Sequence, residues 1–148
     1  MSDEPTLRSF EPGDYPAAHA LWSRTEGMGL GESDDRQSVL AFLARNPGLS
    51  LVAEFRGELV AAVLCGHDGR RGYLHHLAVE KAWRRKGLAK AMVGLCLEKL
   101  AGQGIPKCNL FLYRSNEQGA AFWKHLGWSA REDLVMIQTQ SRKGSCEE

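Results

Sequence analysis

Cysteine pairs at metal-ligand spacing, apolar runs long enough to cross a bilayer, and an excess of either charge are all missing from this chain of 148 residues. Cys65, Cys96, Cys108 and Cys146 form no C-x-x-C pair and have no ligand-like spacing to histidine, which argues against a zinc site and a disulfide scaffold. Lys and Arg total 19 against 18 Asp and Glu, a formal net charge of +1. No field over the whole surface therefore draws in DNA or anionic lipid, and any anion must be met locally. A mean hydropathy of −0.33 leaves no room for a membrane span. The acidic start, MSDEPTLRSF, lacks an apolar signal core. No G-x-G-x-x-G and no G-x-x-x-x-G-K-[ST] occurs, so the usual dinucleotide and nucleoside-triphosphate loops are poor fits. The expectation is a single domain, 1–148, with a polar tail from about 141, in a reducing cytoplasm. No metal, membrane or nucleic acid is expected as a partner.

What is present reads as alternating elements. Thr6 to Phe10 predicts a strand ended by Pro12 and Gly13. Asp14 can cap a helix whose apolar face is Ala17, Ala18, Leu21 and Trp22, and the glycine-rich link EGMGLG follows as a flexible joint. A second helix carries Val39, Leu40 and Leu43 and stops at Asn46, Pro47 and Gly48. Leu49 to Phe55 and Glu58 to Cys65 predict a hairpin around Arg56 and Gly57, and Gly72 to Val79 a third strand of that group. Lys86 to Leu100 has a helical stripe at Ala89, Met92, Val93, Cys96 and Leu100. A strand at Asn109 to Leu112, a helix from Asn116 to Leu126 and a last strand from Leu134 to Thr139 complete the order.

Although the chain is close to neutral, Lys81, Arg84, Arg85, Lys86 and Lys90 gather between a strand and a helix. In the first turn of a helix the backbone N–H groups have no intrahelical partners and the dipole is positive. Gly87 lets a bulky group approach that backbone, small Ala89 keeps the next turn clear, and the cations add charge. The expected guest is a phosphate or pyrophosphate. The stretch LAVEKAWRRKGLAKAMV resembles the cofactor motif of the GNAT superfamily of acyl-CoA-dependent N-acyltransferases, [QR]-x-x-G-x-[GA] after a strand, with Arg84, Gly87 and Ala89 at its defined positions. The later NEQGAAFWKHLGW is similar to the family's second motif through Asn116, Phe122, Trp123, Leu126, Gly127 and Trp128. The resemblance covers roughly Thr6 to Thr139.

That resemblance implies an α/β fold with a mixed, mostly antiparallel central sheet flanked by helices, two of its strands splayed into an acetyl-CoA wedge. It puts the pyrophosphate on the amides of Arg85, Lys86, Gly87, Leu88, Ala89 and Lys90 beside Arg84. The pantetheine arm would follow Leu77, Ala78 and Val79, with Asn116 and Trp123 on the far side. Asn116 can equally be a plain helix cap. The implied reaction moves an acetyl group from acetyl-CoA to a primary amine of a small molecule or a peptide, and a homodimer is an open expectation. Strand alternation groups Tyr73, His75, Leu77 and Val79 on one face and Leu74, His76 and Ala78 on the other. With its imidazole titrating near neutrality, His75 is the implied base. Trp123 stands where the family has the tyrosine that usually serves as acid, and an indole cannot give up its proton, so either Tyr113 or Tyr73 supplies it, or solvent does, or the thiolate leaves with hydrogen-bond support alone. Glu26, Glu32, Asp34 and Asp35 in the joint are candidates to meet a cationic acceptor. The competing readings are a non-catalytic acyl-CoA binding module and a nucleotide-phosphate binder of another fold.

Overall fold

Arg56 and Gly57, at φ 50° and 83°, reverse the chain between strands β2 (Leu51–Phe55) and β3 (Glu58–His67), the central hairpin of the computed structural model, which describes residues 3–142 and 144. Two consecutive left-handed residues give the backbone twist that a tight hairpin needs. β1 (Thr6–Ser9) pairs antiparallel with β2, β3 pairs antiparallel with β4 (Gly72–Val79), and β5 (Cys108–Asn109) runs parallel to β4. The sheet order is β1-β2-β3-β4-β5, so the mixed, mostly antiparallel sheet is as expected.

β3 reads ELVAAVLCGH and is buried on both faces because helices cover both. Ala61, Val63 and Cys65 join Met92, Val93, Cys96 and Leu100 of α3 (Leu88–Gly102) in one core. Ala62 and Leu64 join Ala18, Leu21 and Trp22 of α1 (Tyr15–Ser23) and Val39 and Leu43 of α2 (Arg36–Arg45) in the other. Helix α4 (Glu117–His125) adds Trp123 to the α3 side.

Several expectations are corrected. Asp14 caps no bond of α1; its carboxylate accepts the Glu11 N–H at 2.8 Å and the Arg8 guanidinium, and so closes the preceding 3₁₀ turn Pro12–Asp14. Ala17 faces solvent. α3 starts at Leu88 because Arg85 (φ 63°) and Gly87 (φ 81°) are left-handed and cannot be its first turn. β5 ends at Asn109 instead of running to Leu112, and Leu134 to Thr139 is in no strand. Those residues have strand propensity but meet no sheet edge, and Leu134 to Ile137 are 58 to 90% exposed. Cys146 lies outside the described residues. Among the described residues no helix is long and apolar enough to cross a membrane.

Candidate acyl-transfer site

β4 and β5 are paired at Gly72↔Cys108 and Tyr73↔Asn109 and no further. Beyond Tyr73 the edge of β4 facing β5 is unladdered, while its other edge stays paired to β3 through Ala78↔Ala62 and Val79↔Ala61. The two strands therefore open a wedge whose wall is the backbone of Leu77, Ala78 and Val79. At the end of that wall sits the start of α3. Ala91 N–H is the first to close onto the Gly87 carbonyl, at 3.0 Å, so Leu88, Ala89 and Lys90 offer amides with no acceptor inside the helix. A side chain at Gly87 would meet nothing within 4 Å, so there is open space at the head of the helix on that side. Arg85, Lys86 and Lys90 are exposed around it. Open amides, positive charge and room for bulk fit a diphosphate.

Arg84 takes a different post from its neighbours. Its Nε donates to the Val79 carbonyl at 2.8 Å and its Nη1 to Glu26 Oε2 at 3.1 Å. Arg24 makes a second ion pair with Glu80 across the same gap. The joint between α1 and α2, expected to be flexible, is thereby tied to the β4–α3 turn, and one carbonyl of the wedge wall is already engaged by Arg84. Farther along, a Cβ on Gly27 would fall 2.7 Å from Asn116 Nδ2, and one on Gly29 would fall 2.0 Å from the Tyr113 hydroxyl oxygen. The joint thus spans the mouth of the wedge from α3 to α4. A cavity of about 360 Å³ lined by Gly27, Tyr113, Ser115, Asn116, Glu117 and Gln118 lies between the joint and the start of α4. Asn116 itself caps α4, its Oδ1 accepting the Gly119 N–H at 2.9 Å. Half-buried Trp123 packs its ring 4.8 Å from Trp128 and 5.1 Å from Phe122.

A bulge in β4 overturns the expected alternation. The register steps from Ala62↔Ala78 to Leu64↔His75, so His76 and Leu77 together oppose Val63, and His76 is left-handed at φ 54°. The extra residue resets the faces. Leu74, Leu77 and Val79 turn to the α3 core and Ala78 to the α1/α2 core. His75 packs edge-on to Phe42 of α2 at 5.8 Å and His76 lies 5.1 Å from Trp22 of α1, so both histidines face the same helices. Tyr73 lies parallel to His75 at 6.1 Å and to Phe111 at 6.1 Å, giving a row of rings that ends at the exposed Phe111.

Burial, and then the charge of His76, push the His75 imidazole below its ordinary range, partly offset by Asp34. His75 is therefore neutral at physiological pH and can accept a proton. Asp34 bonds His76 Nε2 at 2.7 Å, Glu26 bonds Arg84, and Asp35 caps α2 through the Ser38 N–H at 2.8 Å. Three of the four acids expected to meet an acceptor are thus engaged internally, and Glu32 is exposed on the 3₁₀ turn Glu32–Asp34. The Asp34–His76 pair and the covering roles of Trp22 and Phe42 escaped the sequence reading; adjacent histidines in one strand were the available sign. Among the described residues no three His, Cys, Asp or Glu gather as a metal would need.

Residues 15–128 match the model of the acetyltransferase (GNAT) family. An acetyltransferase of Pectobacterium atrosepticum is 32% identical over 130 residues, covering 88% of this chain and 92% of the relative. Among solved structures, Ard1 from Thermoplasma volcanium superposes with a TM-score of 0.73 at 18% identity, over 84% of this chain and 82% of the other. The PaiA N-acetyltransferase of Thermoplasma acidophilum in complex with coenzyme A gives 0.69 at 18% identity, over 84% and 88%.

Proposed function

Since the chain belongs to the GNAT acetyltransferase family, we propose that it is an N-acetyltransferase that moves the acetyl group of acetyl-CoA to a primary amine of a small molecule or peptide. The observation that carries this reading is the coincidence of an unladdered β4 edge with a helix start whose first amides have no intrahelical acceptor and whose Gly87 has open space where a side chain would go. Acetyl-CoA, when bound, supplies the activated acyl carbon. The amides of Leu88, Ala89 and Lys90, with Arg85 and Lys86, hold its diphosphate. The free edge at Leu77 and the Val79 N–H takes the amides of its arm as an added strand would, and orients the thioester.

Transfer asks for a neutral amine, a polarised carbonyl and a proton for the departing sulfur. His75, kept neutral by its burial, takes the proton from the incoming amine directly or through water. Backbone N–H groups of Leu77 to Val79 polarise the carbonyl. Tyr113, 63% exposed beside Gly29 at the wedge mouth, delivers a proton to the sulfur, with Tyr73 as the alternative. Trp123 supports the arm's far side by packing, and Asn116 sets the start of α4 that borders it.

Thiol release from acetyl-CoA over a panel of amines tests the reading, with calorimetry for the cofactor alone. Acceptor-dependent release together with binding supports it. Binding without release from any amine or peptide in a broad panel favours the non-catalytic module. Thermal stabilisation by ATP exceeding that by acetyl-CoA overturns the family-based assignment of the site.

A further inference from the structure

Asp34 joins three elements through three separate contacts. Its Oδ1 accepts from His76 Nε2 at 2.7 Å, its Oδ2 accepts the Gly31 N–H at 2.8 Å, and its carbonyl accepts the Tyr15 hydroxyl at 2.8 Å. The first reaches the β4 bulge, the second closes the 3₁₀ turn, and the third fastens that turn to α1. Both partners of the first contact are well covered, at 16% and 12% side-chain exposure, with Trp22 lying over the imidazole. A carboxylate–imidazole bond shielded from water is stronger and more directional than a surface pair. It also fixes the tautomer, because Nε2 must carry the hydrogen that a carboxylate accepts.

The position of His76 gives the bond its reach. As the left-handed residue of the bulge, it occupies a backbone conformation that is strained for a non-glycine residue and needs support from its surroundings. The bulge is what turns His75 toward the α1/α2 side and the Leu77 side chain away from it. On the other side of the bond, Asp34 ends the joint whose near end is held by Arg24–Glu80 and Glu26–Arg84. One hydrogen bond therefore links the covering joint to the bulge residue next to His75.

We propose that His76 and Asp34 are a positioning pair for acyl transfer, fastening the joint that covers the acceptor side to the bulge that presents His75. Neither touches the reacting atoms. This inference rests on the N-acetyltransferase reading for its functional meaning, but its electrostatic content belongs to the protein alone. The Asp34 anion favours charge on His75, and the charge of His76 disfavours it. The other titratable or charged groups facing the pair are Tyr73 beside His75, Tyr15 on the Asp34 carbonyl, and Asp35 and Arg36 at the start of α2; Trp22 and Phe42 supply uncharged walls.

Imidazole nitrogen NMR titrations of the full-length protein, its Asp34→Asn variant and its His76→Gln variant test the proposal without any acceptor. Wild-type His76 should show the Nε2–H tautomer. The His75 midpoint should fall in Asp34→Asn and rise in His76→Gln, by about 0.3 pH units or more each. In turnover with an amine from the panel, Asp34→Asn should raise the acceptor KM about tenfold while the acetyl-CoA Kd stays within about twofold. Asp34→Ser serves in place of Asp34→Asn if the latter does not fold. A His75 midpoint unchanged in both variants, or moved the same way in both, overturns the pair's role. Absence of turnover with every amine strikes the transferase reading instead and leaves the NMR result to judge the pair.

Discussion

Arg84 Nη1 lies 3.1 Å from Glu26 Oε2 while its Nε holds the Val79 carbonyl at 2.8 Å. The guanidinium thus joins the end of β4 to the joint after α1, so the arginine of the cofactor motif orders the turn from its edge. In the proposed reading, the amides and the exposed Arg85, Lys86 and Lys90 are the groups left to meet the anion.

Two substitutions separate those duties. Glu26 is exposed, so Glu26→Gln should leave the melting temperature unchanged and raise the acceptor KM. Arg84→Ala also strands the Val79 carbonyl and frees the turn, and acetyl-CoA affinity should fall about tenfold by calorimetry. Equal affinity in Arg84→Ala and wild type would mean that the turn keeps its shape without the arginine.

Gly87 separates backbone strain from occlusion. It is left-handed at φ 81° with open space where a Cβ would go. Gly87→Ala should cost about 1 kcal/mol of stability through conformation alone and bind acetyl-CoA with a modest loss. Gly87→Glu adds the same strain plus bulk and a negative charge in front of the amides, and should abolish binding. Wild-type affinity in Gly87→Glu would move the diphosphate elsewhere.

How much of this could be read in advance depended on range. The helix start at Arg84, Gly87 and Ala89 was legible because a glycine in a basic turn after a strand is a local pattern. The hairpin at Arg56 and Gly57 was legible for the same reason. His76 was not, because a histidine at positive φ leaves no mark in the sequence, and one bulge residue exchanges every later side chain between faces. Asp34 read as a candidate to meet a cationic acceptor until the fold brought it against a residue 42 positions away. Leu134 to Thr139 has the composition of a strand, but composition does not supply an edge to pair with.

His75 carries the pH prediction. Burial and the neighbouring His76 lower its folded-state value, so the unfolded chain binds a proton more readily. Its contribution to stability is present above the ordinary histidine value and is lost as pH falls through the lowered one. The neutral base also survives into mildly acidic solution, so the acid limb of kcat/KM should lie below the ordinary histidine value. His75→Ala should reduce kcat about a hundredfold with the acetyl-CoA Kd unchanged. Full kcat in that variant would remove His75 as the base.

Ser50 tests whether the sheet beneath the site tolerates an unmet backbone group. Its buried hydroxyl accepts the Cys65 N–H at 2.9 Å and donates to the Cys65 carbonyl at 3.3 Å, bridging to β3 just before the β2–β3 ladder begins. Ser50→Ala removes both contacts at a position that is only 2% exposed. The stranded N–H should cost about 1–3 kcal/mol in urea unfolding. Ser50→Thr keeps the hydroxyl and separates the two causes. If it matches wild type while Ser50→Ala is destabilised, the hydrogen bonds decide the effect; if both lose stability equally, packing at this buried position does.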